Sequence, residues 1–286
     1  MIDLGPISIF LKSSQLQLSE CDNLGFISST TPNTLSYISE INYLDVAENN
    51  ANVVSVLWDS SLGLPPSNSR INFYEVSNSK LAFLHLQNSL LRLYSPNQIA
   101  KSASISTTAV IANEGVRIEE GVVIEDFVIV NQGTHIGSNS VIRSGSILGS
   151  QALFLGNDLD GSLLEMNHLG GVFIGEKVTI GSNCVIDRAI FSSENTTIGD
   201  NNKVGSLTNI SHGVKIGASN RISAGVNICG YTQIGNDSWI GPNVTISHML
   251  QIGSGVFFSL GSTVLQDIQD GWKVVGPKIF KDRKLF

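Results

Sequence analysis

The chain has 286 residues, 42% hydrophobic and only 14% charged, with 28 glycines and a formal net charge of −7. That length buries a real core as one large domain or two smaller ones, which excludes a disordered chain. The acidic balance excludes an overall electrostatic footprint for nucleic acid.

The opening MIDLGPISIFLK lacks the basic n-region and long apolar run of a secretory signal, and no stretch approaches the roughly 20 apolar residues of a spanning helix. The expected location is therefore cytoplasmic. Residues 1–97 read as a small α/β domain: ANVVSVLW (51–58) and RINFYEV (70–76) are strand-like. SKLAFLHLQNSLLRLY (79–94) has helical spacing before the breaker SPN. Cys21, Cys184 and Cys229 are widely spaced and outside any CxxC pattern, so they are expected as buried free thiols with no metal role.

From residue 98 the sequence changes period. Aliphatic residues recur every sixth position, as in Ile118, Ile124, Val130, Ile136 and Ile142, and again from Ile198 through Val204, Ile210, Ile216, Ile222 and Ile228 to Ile252. Six is a multiple of the strand period and not of the helical one, so each unit is a short strand plus a turn. Three such units close one triangular coil, with aliphatic side chains stacked inside and Gly, Asn and Asp at the corners. Residues 98–268 are therefore expected as a parallel β-helix in a mainly β fold. Residues 149–173 break the register and form an excursion loop, read as a lip over a groove. Residues 269–286 form a basic tail with Lys273, Lys278, Lys281, Arg283 and Lys284.

Two near copies, ISHGVKIG (210–217) and ISHMLQIG (246–253), are separated by six repeats. Six repeats are two coils, so His212 and His248 share one column, about 10 Å apart. Gly230 is the rung between them, and one coil below His212, counting back three repeats, stands Glu194. Imidazole is the natural general base, and a carboxylate such as Glu194 is a candidate to fix its tautomer.

Four segments carry a resemblance: TLSYISEINY (34–43), HLGGVFIGEKVTIGSNCVIDRAI (168–190), SLTNISHGVKIG (206–217) and the later ISHMLQIG. The chain resembles the UDP-3-O-acylglucosamine N-acyltransferases of lipid A biosynthesis, which are hexapeptide-repeat enzymes with a left-handed β-helix. The resemblance implies a homotrimer and His212 as general base, with His248 as the second column histidine. It also implies Gly230 as oxyanion donor and Tyr37 and Tyr43 as nucleotide contacts, with Asn209 and Ser206 toward the sugar. The acyl donor implied is a phosphopantetheine thioester, on acyl carrier protein or coenzyme A, acting as co-substrate with no tightly bound cofactor. Three departures stand out. The family's second histidine lies one residue closer to the following aliphatic than His248 does, since HMLQI keeps the phase of HGVKI. Gly205 and Ser206 replace the family's Asp-Asn pair, and the ending GWKVVGPKIFKDRKLF looks more like that of acetyltransferases using coenzyme A.

Three other readings remain beside this one. An acetyl-CoA-dependent N-acetyltransferase of a UDP- or dTDP-linked amino-deoxy sugar would use the same column. A silent nucleotide-sugar-binding scaffold would leave the bare rung without purpose. A zinc carbonic anhydrase on the same coil needs closely spaced histidines, and His85, His135, His168, His212 and His248 contain no such pair.

Overall fold

A repeat that turns one aliphatic side chain inward at every sixth position builds three faces, and the computed structural model, which describes residues 1–12, 21–276 and 278–281, has that architecture. It divides into two compact units. One comprises Met1–Arg92, Leu153–Leu169 and Phe191–Ser193; the other comprises Leu93–Ala152, Gly170–Ile190 and Glu194–Phe286.

The second unit is a parallel β-helix. In the order the chain visits them, its three sheets contain eight, ten and eight strands among the described residues. We call them the first, second and third faces in the order the chain visits them, starting at Gln98–Ile99, Ser104–Ile105 and Val110–Ile111. Register is kept in the aliphatic columns. On the third face Ile186 pairs with Ile210, Ile210 with Ile228 and Ile228 with Ile246. These columns are almost wholly buried and form one continuous core with a second inward position two residues earlier. Small residues such as Val214, Val226 and Cys184 occupy that second position, because the narrowing corner admits little more.

Some of those second positions are polar, and the asparagines there are paired. Asn202 Nδ2 donates to the Gly199 and Gly217 carbonyls, and Asn220 Nδ2 donates to Gly235. The Asn220 amide in turn donates to Asn202 Oδ1, and the Ser238 amide donates to Asn220 Oδ1. This buried ladder serves the backbone groups that the turns leave without strand partners. Many corner residues adopt positive φ, among them Asn139, Asn183 and Asn201, where asparagine tolerates the left-handed region.

The coils are not all of one length. Ile198 pairs with Ile216 at the regular spacing, whereas Ile136 pairs with Ile174 across the first excursion and Ile174 pairs with Ile198 across a shorter one. Both expansions leave between the third and first faces. The expected lip is instead a packed hairpin of Leu155–Asn157 with Leu163–Glu165 within the first unit. Phe154 meets the Phe26 ring, His85 pairs with Asp158, and Asn88 donates to the Glu165 carbonyl.

The first unit has a parallel sheet of Asn23–Leu24, Thr34–Ile38, Val53–Asp59 and Asn72–Val76 in chain order, with the helix Ser79–Ser89. The helix begins where Asn78 Oδ1 accepts the Leu81 amide. It stops short of the expected Tyr94, because Ser89 Oγ donates back to the Leu86 carbonyl and Leu90 turns extended. The unit's core is led by Trp58, Phe83, Leu35, Ile38 and Leu57.

The expected tail is a further correction, since Trp272–Val275 pairs in parallel with Phe257–Phe258 and extends the coil. Lys278–Lys281 then returns antiparallel to Trp272–Val275; Arg283 and Lys284 lie outside the described residues. Two of the three cysteines are buried as expected, while Cys229 is only half-buried. No helix among the described residues is long and apolar enough to cross a membrane.

Asn220→Ala removes one donor and one acceptor from the buried ladder and leaves Gly235 O and the Ser238 amide without these partners. The expected loss is about 1–3 kcal/mol of unfolding free energy, measured by denaturant titration. An unchanged midpoint would show that the ladder is not what satisfies these turns.

Candidate active site

The corner leading from the third face to the first gathers the column histidines. After the paired isoleucines come Ser211, His212 and Gly213 on one rung, then Cys229, Gly230 and Tyr231, then Ser247, His248 and Met249. Adjacent rungs are tied by backbone bonds from the Ser211 amide to Ile228 O at 2.9 Å and from the Tyr231 amide to His212 O at 3.0 Å. The next pair ties the Cys229 amide to Ile246 O and the Met249 amide to Gly230 O.

The two inner rungs interlock through their glycines. A Cβ on Gly230 would lie 2.6 Å from His212 Nε2, so the imidazole occupies the space that a side chain at 230 would need. A Cβ on Gly213 would lie 2.8 Å from the Tyr231 ring, and Gly213 also has a φ of +67°. The rings of His212 and Tyr231 meet edge to face, 5.6 Å between centroids. Tyr231 holds a φ of 60°, the left-handed corner conformation that Phe127, Leu207 and Met249 also adopt in this coil. Among the described residues the Gly230 N–H has no hydrogen-bond acceptor.

Polar partners converge on the ring from one side. Ser211 Oγ lies 3.1 Å from His212 Nδ1. Near the same corner, Asp187 Oδ1 accepts from Ser150 Oγ at 2.6 Å. On the other side the Tyr231 hydroxyl donates to Glu194 Oε2 at 3.1 Å, so Glu194 reaches the imidazole through the tyrosine. Burial sets the protonation of the group. It lowers the His212 pKa to about 4, and it raises the carboxyls of Asp187 and Glu194 above the usual range. Hydrogen bonds from Ser150 and Tyr231 and the charge of Lys215 partly offset the rise in the carboxyls. The Tyr231 hydroxyl is pushed up by burial and by the Glu194 charge beside it.

The remaining expected residues are more scattered. His248 shares the column but is exposed, with Ser247 Oγ 3.4 Å from its Nδ1. Asn209 is exposed and heads the short strand that leads to the His212 corner. Ser206 sits at the preceding corner, where its Oγ accepts from the Ser182 amide. Tyr37 and Tyr43 belong to the first unit: Tyr37 is half-buried against Phe83, whereas Tyr43 is exposed. Of the other histidines, His85 pairs with Asp158 and His135 with Glu119, and His168 is buried.

Asp187, Ser211 and Tyr231 escaped the sequence reading. Counting back three repeats from His212 lands on Glu194, which is right on the first-face side, where Ile198 pairs with Ile216 through Thr197 and Lys215. On the third-face side the coil is longer by one repeat, since Asn209 pairs back to Val185, and Asp187 comes to the corner instead. The available signal for Tyr231 was its place directly after the bare rung.

Comparison with known proteins agrees with this architecture. Residues 115–150 match the family model described as bacterial transferase hexapeptide (six repeats). No curated protein matches the chain. Among solved structures, the UDP-N-acetylglucosamine acyltransferase from Campylobacter jejuni is 22% identical. The match covers 62% of this chain and 73% of that one with a TM-score of 0.50. The Francisella novicida UDP-N-acetylglucosamine acyltransferase is 21% identical over 63% of this chain and 67% of that one, with a TM-score of 0.42. A putative acetyltransferase from Bacillus cereus is 16% identical over 65% and 81%, with a TM-score of 0.35. The chain is thus a parallel β-helix that carries the bacterial transferase hexapeptide repeat.

Proposed function

We propose that the protein is an acyltransferase that moves an acyl group from a phosphopantetheine thioester to the amine of a nucleotide-linked amino sugar. One observation carries this reading: His212 Nε2 lies over a rung with no side chain, beside a Gly230 N–H that has no acceptor among the described residues. A reacting carbonyl needs those two groups on either side of it. The structural likeness to UDP-N-acetylglucosamine acyltransferases supports a nucleotide sugar as the acceptor class.

The reaction follows from these groups. The amine nitrogen attacks the thioester carbonyl, its proton passes to His212 Nε2, and the carbonyl becomes an oxyanion that accepts from the Gly230 N–H. A fixed donor of this kind is worth about 3–4 kcal/mol in comparable sites. Collapse breaks the C–S bond, and the proton held on Nε2 goes to the departing sulfur. The amide and the free thiol are the products.

Of the two tyrosines implied as uridine contacts, Tyr43 offers an exposed ring, 42% accessible, while Tyr37 is half-buried and its hydroxyl pKa is raised by burial. The donor is acyl carrier protein or coenzyme A, and the expected oligomer is a trimer.

His212→Ala is expected to cut turnover by about 10²–10⁴ with the fold retained, read as thiol release from acetyl-CoA, longer acyl-CoA and acyl carrier protein against UDP- and dTDP-amino sugars. Undiminished thiol release would remove His212 from the chemistry. Tyr43→Ala should raise KM for the nucleotide sugar severalfold and leave kcat alone; an unaltered KM takes it out of the site. The pH dependence has a definite sign. With its pKa lowered to about 4, His212 is the neutral, proton-accepting form throughout the neutral range. The enzyme-derived acid limb of kcat/KM should therefore fall only as pH drops toward about 4, and an NMR titration of the ring should share that midpoint. A limb near the ordinary histidine value of about 6.5 would contradict this burial.

A further inference from the structure

We propose that Arg188, Thr134 and Asn131 form an anion site around Gly149, on the corner that carries His212, for a phosphate group of the substrate. Arg188 is half-buried and its guanidinium is only partly used: Nε donates to the Gly149 carbonyl at 2.8 Å and Nη1 to the Tyr94 hydroxyl. Among the described residues its Nη2 has no acceptor and no carboxylate forms an ion pair with it. Asp187, beside it in the chain, accepts from Ser150 instead. Thr134 is 1% exposed and its hydroxyl has no hydrogen-bond partner, and the half-buried Asn131 side chain has none among the described residues. All three border one bare residue. A Cβ on Gly149, whose φ is +78°, would lie 3.0 Å from Thr134 Oγ1, 3.2 Å from Asn131 Cβ and 3.7 Å from Arg188 Nη2.

Donors left unused in this way call for an acceptor. A guanidinium does not lose its charge in a protein, and drawing it out of water without a counter-ion is costly, as is burying a hydroxyl without a partner. The two bonds that Arg188 does make fix the plane of its fork before any ligand arrives, which suits arginine to a phosphate. Glycine at 149 lets such a group approach the main chain. Position narrows the choice of phosphate. Along the third face Val130 pairs with Leu148, Leu148 with Ile186 and Ile186 with Ile210. Gly149 therefore stands two rungs before Ser211, about 10 Å away. A diphosphate joined to the ring of an amino sugar falls within that reach of His212, whereas an extended pantetheine arm carries its phosphate farther. The site accordingly takes the diphosphate of the nucleotide sugar. That identity rests on the acyltransferase reading; the anion site itself does not.

Calorimetric titration of the full chain reads the site without turnover, using UDP against uridine and phosphopantetheine against pantetheine as probe pairs. The native protein should bind UDP more tightly than uridine. Arg188→Gln should weaken UDP binding about tenfold to a hundredfold and leave uridine alone. Arg188→Lys, which keeps the charge and loses the fork, should recover only part of that loss. Thr134→Val removes a hydroxyl that has no partner in the fold, so it should weaken UDP binding severalfold without lowering the thermal midpoint. A native protein that binds neither phosphate-bearing probe more tightly than its phosphate-free counterpart, or an Arg188→Gln variant that keeps the native difference, overturns the proposal. Should Arg188→Gln fail to fold, Thr134→Val with native affinity for both phosphate-bearing probes overturns it. A loss confined to phosphopantetheine keeps the anion site and overturns its assignment to the nucleotide. If UDP binding responds as expected while the native protein consumes no thioester, the site stands and the acyltransferase reading falls.

Discussion

Register between coils is the constraint on which the rest depends. Each rung is held to the next by backbone hydrogen bonds and by an inward aliphatic stack, so a residue's place in the sequence fixes its column, its direction and its neighbours above and below. At the corner after the third face, this turns two ordinary dipeptides, His212-Gly213 and Gly230-Tyr231, into an interlocked pair. Each ring fills the space above the other rung's glycine. A slip of one position would put a Cβ into an aromatic ring and an isoleucine into water.

The same packing creates the electrostatics. Half-burying an imidazole between coils strips water from it and lowers its basicity, and the same loss of water raises the two nearby carboxyls. Hydroxyl groups are what make this tolerable: Ser150 donates to Asp187, and Tyr231 donates to Glu194. Short-range hydrogen bonds are strong where solvent is excluded, and they set orientation as well as energy. The result is a neutral base with directed lone pairs instead of an ion pair.

Insertions follow the same logic. A strand within a face cannot be lengthened without breaking the inward stack, but a corner can. Both expansions, between Ser150 and Gly171 and between Asp187 and Asn195, leave at the corner that later carries His212. Residues 153–169 and 191–193 are then available to build the first unit, where Phe154 and Phe191 pack against Phe26.

The amino-acid sequence determined the coil, its three faces and the column of His212, Gly230 and His248, because a strict sixfold period has one geometric solution and each position repeats a local rule. It also showed where the period breaks. Tertiary structure decided what the period cannot encode: that the excursion is a packed hairpin, that the coil runs on to Val275, and that the helix ends at Ser89. It decided the partners of His212 as well. Asp187 comes to the His212 corner because one coil carries a fourth repeat length between Val185 and Asn209, and the Tyr231 ring meets Gly213 from a left-handed backbone position. Those are non-local facts, set by how chain segments of unequal length share one rung spacing.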